Sequence, residues 1–132
     1  MNDNLGKLVL RLTLAVLLLF HGVAKLIGGV GPIAGMLSSA GMPSQFAYLV
    51  LVGEVLAPIL IAFGIWTRLA ALVVVGNMIV AVVLAHSGQL MSISKTGGWA
   101  LELQGFFLFV ALAIALLGAG SYSVGGQKGR WN

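Results

Sequence analysis

Four apolar runs, at residues 5–27, 45–65, 68–88 and 99–119, take up most of this chain. Each is close to the roughly 20 residues that a helix needs to cross a hydrocarbon core of about 30 Å. No water reaches the backbone in such a core, so each run must close its hydrogen bonds within itself. The expected fold is therefore all-α, an integral-membrane bundle of four transmembrane helices forming a single domain over residues 1–132. Composition supports the same class, with 60% apolar residues, only 8% charged residues and a mean hydropathy of +1.10. The first run is too long for a signal-peptide core and no small-residue cleavage site follows it, so it is expected to stay as a spanning helix.

The connections carry information as well. Between the first two runs lies "GGVGPIAGMLSSAGMPS", whose glycine, serine and proline read as a loop with a short interfacial helix around residues 33–39. The second and third runs meet almost directly through "GIWTR", which forces an antiparallel hairpin. An even number of spans places both ends of the chain on one side. That side collects Lys7, Arg11, Arg68, Lys128 and Arg130, against Lys25 and Lys95 on the other, so both termini are expected on the cytoplasmic side. Trp66, Trp99 and Tyr122 fall at the expected helix ends, where an aromatic belt would sit.

The net charge of +4 does not indicate nucleic acid, because the basic residues are scattered along apolar helices and at chain ends. The absence of cysteine excludes a disulfide framework, thiol redox chemistry and thiolate metal sites. Any redox role would need a bound ligand such as a quinone, or a redox partner protein. No metal site is expected from the two histidines and three acids.

The few ionisable residues inside the apolar runs are the candidates for chemistry, since a charge at the bilayer centre costs about 2.5–3.5 kcal/mol on insertion scales. With about 1.5 Å of rise per residue, His21 lies about 9 Å below the outer end of its helix, Glu102 about 5 Å, and Glu54 about 14 Å deep, near the midplane. His86 lies nearer the outer surface. On one helix His21 and Lys25 are about 40° apart and Arg11 is within about 80° of His21, a single polar stripe expected to face the bundle. Asn77 and His86 fall on opposite faces of the third helix, which argues against a common site. On the fourth, Glu102 shares a face with Phe106, Phe109 and Ala113 while Gln104 points elsewhere, so the acid is expected above a wall of aromatic rings.

Each candidate has a plainer reading. Glu54 is either a functional carboxyl or the acceptor of a structural bond from His21 or Asn77. His21 is either a ligand contact or an ordinary interhelical hydrogen-bonding residue. Lys25 could simply snorkel to the interface, and His86 and Glu102 could be solvated helix-end residues. Arg11, Arg68 and Asn77 are read as topological or structural, Arg68 as a helix cap at the tight inner turn. Pro58, four residues after Glu54, should disturb the backbone beside the acid.

The run "RLTLAVLLLFHGVAKLIGG", then "GMP", then "GEVLAPILIAFGIWTRLAALVVVGNMIVAVVLAH", resembles the DoxX family of small four-helix bacterial membrane proteins. The resemblance runs from residue 8 to residue 120. It is carried by the order of the "HG..K" helix end, the mid-helix glutamate and the "G..TR.AA" hairpin. It implies a multipass inner-membrane bundle whose recurrent polar residues fall on His21, Lys25, Glu54, Arg68 and His86, with Glu102 where an acid is common. It also implies a range of roles. Some members are similar to subunits of thiosulfate:quinone oxidoreductase, others are linked to membrane complexes handling oxidative stress and sulfur compounds, and broader eukaryotic relatives act in cargo handling or assembly.

Two functional expectations follow. In one, a site in the outer half binds a quinone, with His21 and Lys25 donating hydrogen bonds, Glu54 or Glu102 exchanging the proton, and Phe106 lining the ring's slot. In the other, the bundle is a noncatalytic lipid-binding or complex-stabilising subunit whose polar network fixes helix packing. Membrane lipids, a redox partner and a second copy of the chain are the expected partners.

Overall fold

The structure, a computed structural model, describes residues 2–85 and 87–132; His86 lies outside the described residues. Among the described residues there is no strand, only an isolated antiparallel bridge between Ile93 and Trp99. The main helices are α1 (Asp3–Gly28), α2 (Gly31–Ser39), α3 (Ser44–Phe63), α4 (Thr67–Ala85) and α5 (Glu102–Leu117). Helices α1, α3 and α4, of 26, 20 and 19 residues, are long and apolar enough to cross a membrane.

Helix α1 starts where the Asn2 side chain accepts the Leu5 N–H, an N-cap that satisfies one orphan donor. It stops at Gly29, whose φ of 84° suits only glycine. Its buried residues, Arg11, Leu14, Ala15, Leu18 and Gly22, recur at three- and four-residue intervals and form one stripe. Helix α4 buries Thr67, Ala70, Ala71, Val74 and Met78 in the same rhythm. Alanines on these stripes let backbones come close, which is how helices associate where lipid offers no hydrophobic contrast.

The long helices pack as a ring, α1 against α3 and α5, and α4 against α3 and α5. Gly64, at φ 73°, turns the chain sharply between α3 and α4, as the "GIWTR" hairpin requires. The short α2 stands apart from the main core. Its Leu37 packs with Val30 and Ala47 in a separate cluster.

The fourth apolar run differs most from expectation. Helix α5 has 16 residues and begins only at Glu102. The preceding residues form a small hairpin-like loop, held by Ser94 N–H to the Gly98 carbonyl at 2.7 Å, Ala100 N–H to the Ser92 carbonyl at 3.0 Å, and the Trp99 indole N–H to the Leu90 carbonyl at 2.7 Å. With those groups engaged locally, residues 99–101 do not extend the helix. At about 1.5 Å per residue α5 spans about 24 Å, short of a full hydrocarbon core.

The final segment is built into the bundle rather than extending from it. The Trp131 carbonyl accepts the Arg68 N–H at 2.8 Å and the Asn132 side chain accepts the Thr67 N–H at 2.9 Å, capping the start of α4. Asn4 near the start of α1 accepts from Ser121 and Gln127, so both ends of the chain lie at the same end of the bundle.

Candidate functional site

At the end of the bundle opposite the chain termini, α1, α3, α4 and α5 diverge around a cavity of about 540 Å³, roofed by α2 and the segment leading into α3. Its walls are mostly aliphatic. The polar residues among them are His21, Lys25, Glu54, Asn77 and Gln104.

Glu54 is the centre of this group. Its side chain is 3% exposed, and both carboxylate oxygens are engaged: Lys25 Nζ donates to Oε1 at 2.5 Å and Asn77 Nδ2 to Oε2 at 3.0 Å. One carboxylate thereby joins α1, α3 and α4. The ion pair is graded in depth, since the Lys25 side chain is 31% exposed against 3% for its partner. A buried carboxylate left without its cation would be strongly destabilising, and here the cation reaches it along a flexible stem from the more accessible side.

The backbone around Glu54 is unusual for a reason visible in the sequence. Pro58 has no N–H to give the Glu54 carbonyl, and its ring would crowd that carbonyl in a regular helix. Residues Val52–Leu56 accordingly open into a π-turn, with Ala57 N–H reaching back to the Val52 carbonyl. Such turns often occur at functional positions. In this wide turn Gly53 and Glu54 are both buried.

Two glycines make the arrangement possible. A Cβ on Gly22 would collide with the Glu54 carbonyl and with Val55, so α1 lies directly on the π-turn. A Cβ on Gly53 would come within 2.7 Å of the Asn77 side chain. These residues were missed in the reading of polar positions. The usable signal was that a glycine adjoins each of the three polar residues, in "HG", "GE" and "GN" at positions 21–22, 53–54 and 76–77.

His21 lines the cavity one helical turn before Lys25. Its ring meets Phe107 edge-on, with centroids 5.6 Å apart and planes at 82°. Its ring nitrogens hold no hydrogen bond among the described residues, which leaves them available to a ligand.

Other sequence candidates fall elsewhere. Glu102 does not line the cavity; it is exposed, with its carboxylate folded over Gly98. Phe106, 70% exposed, also faces away. The physical reason is the phase of α5, whose buried stripe is Phe107, Ala111, Ile114 and Ala115. At about 100° per residue this turns Glu102, Phe106 and Phe109 outward and brings Gln104 and Phe107 in. Asn77, read as structural, belongs to the cavity as the second donor to Glu54. His86 lies outside the described residues, among which no group of three or more His, Cys, Asp or Glu converges to hold a metal ion.

Arg11 and Arg68 serve the other end. Arg11, 1% exposed, donates to the carbonyls of Ile61 (2.9 Å), Ala62 (3.0 Å), Ala119 (2.8 Å) and Tyr122 (2.8 Å). Arg68 donates to Ala115 at 3.1 Å and Leu116 at 2.8 Å. Each guanidinium thus takes up carbonyls at and just beyond a helix end, and its charge complements the negative end of that helix's dipole.

Apolar helices of spanning length, packed around a cavity with a buried, ion-paired carboxylate, define a small helical membrane protein. Residues 6–87 match the model of the DoxX family, and the chain belongs to that family. It is 34% identical over 65 residues to a Bacillus subtilis (strain 168) protein named "Putative oxidoreductase CatD", a match covering 49% of this chain and 48% of that protein. The chain thus spans about half the length of this curated relative. No solved structure matches.

Proposed function

We propose that this protein is a four-span bundle of the bacterial inner membrane, both termini cytoplasmic, whose cavity binds the head of a quinone or a similar lipid-soluble redox ligand. It would serve as a component of quinone-linked sulfur-compound or oxidative-stress metabolism. One observation carries the reading: His21, whose ring nitrogens have no hydrogen bond among the described residues, and the Lys25–Glu54–Asn77 network centred on buried Glu54 share one apolar cavity of about 540 Å³. That combination of apolar walls with a few convergent polar groups is typical of small-molecule sites.

The residues present suit such a head. A neutral imidazole can donate to a quinone carbonyl oxygen or accept from the hydroxyl of the reduced ring. Lys25 has two further N–H groups beyond the one given to Glu54, and Asn77 has one. Glu54 holds both donors in place. Phe107, rather than the expected Phe106, offers its ring to the slot. A bound quinone supplies two-electron, two-proton chemistry, with electrons arriving from a redox partner protein. The name of the Bacillus relative lends support to a redox setting.

A second reading rests on a specific observation as well. Both Glu54 oxygens are satisfied internally, as in a clasp joining three helices, which suits a noncatalytic lipid-binding or complex-stabilising subunit. A clasp does not account for the adjoining cavity or for a histidine left open to it. Gentle purification followed by solvent extraction separates the two. Reproducible co-purification of a quinone, lost in Glu54→Gln protein that remains folded, is the expected result. Recovery of bulk phospholipid alone would favour the clasp.

A further inference from the structure

The cavity does not stop at its polar residues. Along the outside of the bundle a shallow groove runs between α2 and α4, bordered by Gly35, Met36, Ser39, Val83 and Leu84. Met36 and Leu84 border the cavity too, so the two spaces adjoin at these two side chains. Among the described residues no charged one borders the groove, and Val83 on its α4 side is 63% exposed. Val83 belongs to a helix apolar and long enough to span a membrane, and its exposed side chain suits contact with lipid chains.

We infer that the groove is a tail subsite: the ligand carries a hydrocarbon chain that leaves the cavity between α2 and α4 and continues into the lipid. This rests on the proposed reading of the cavity as a head site and adds the class of molecule it takes, a polar ring on a long apolar chain rather than a water-soluble redox compound. The head sits beside His21 and Lys25. The chain passes Met36, an unbranched side chain able to adapt its shape, and lies along Gly35, where the missing side chain leaves the groove open.

Gly35 also supplies the test. A Cβ added there meets nothing within 4 Å, and its φ is not in the left-handed region, so Gly35→Leu fills the groove without disturbing α2. Binding is measured for two probes on detergent-purified full chain, 2,3-dimethoxy-5-methyl-1,4-benzoquinone and the same ring bearing a decyl chain. Gly35→Leu is expected to weaken the decyl probe by about fivefold, a loss of packing of about 1 kcal/mol, and to leave the chain-free ring unchanged. Comparing variant with wild type for each probe cancels partition into the micelle. If Gly35→Leu alters both probes alike or neither, the tail subsite is wrong and the head site stands. If wild type binds neither probe, the head site fails and the inference fails with it.

Discussion

The two ends of this bundle use charge in opposite ways. At the end that gathers the chain termini, Arg11 and Arg68 give their N–H groups to backbone carbonyls of α3, α5 and the final segment. At the other end Lys25, Glu54 and Asn77 bond side chain to side chain beside an open cavity. Backbone carbonyls cannot move without unwinding a helix, so the arginines act as fixed caps. Side-chain partners can exchange for a ligand while the helices stay in place. The contrast teaches that burial of a charge does not identify a site: Arg11, at 1%, is as buried as Glu54, at 2%. What its partners are is the more telling property.

The contrast can be broken first at Arg11. Arg11→Met strands the carbonyls of Ala62, Ala119 and Tyr122, while that of Ile61 keeps the Gly64 N–H, and at about 1 kcal/mol or more for each stranded group the loss is at least about 3 kcal/mol. Arg11→Lys should rescue little, because an ammonium cannot span the set that the planar guanidinium bridges. Unfolding by denaturing detergent measures both, and a loss under about 1 kcal/mol for Arg11→Met would undo the capping argument.

Glu54→Gln comes next, at about 2–3 kcal/mol. The effect is smaller than at Arg11 because a Lys25 deprived of its partner can turn toward the more accessible side. The double variant with Lys25→Met should cost less than the sum of the two singles, and strict additivity would show that the ion pair is not coupled. Gly22→Ala follows at about 1–3 kcal/mol, since its methyl group overlaps the Glu54 carbonyl and α1 must shift. Smallest of all, Glu102→Gln and Phe106→Ala should leave ligand binding within about twofold of wild type, as neither side chain lines the cavity. A marked loss from either would restore the aromatic wall expected from sequence.

How far the site could be read from the sequence depended on which link each residue needed. Lys25 and Glu54 were accessible through phase and depth, because a helix of known pitch fixes both. Glu102 and Phe106 were misplaced because the face a helix buries is set by its neighbours. In "ELQGFFLFVALAIA" apolar residues cover every side, so periodicity gives no direction. The start of α5 depended on local bonds from Trp99 and Ser94 that no hydropathy pattern records. The phase of α4 relates Asn77 only to residues of its own helix such as His86, whereas its partner Glu54 is on α3. The capping of α4 by Trp131 and Asn132 joins residues more than 60 positions apart, which only the tertiary fold brings together.

His21 borders the cavity and is tied to nothing polar among the described residues. Binding of the decyl-bearing benzoquinone to His21→Ala, measured alongside the melting temperature, tests its role most directly. A ligand contact outside the structural network should lose about tenfold in affinity, the value of one hydrogen bond to a ring oxygen, while the melting temperature stays within a few degrees of wild type. Wild-type affinity in a variant that melts much earlier would contradict the account and make His21 part of the clasp.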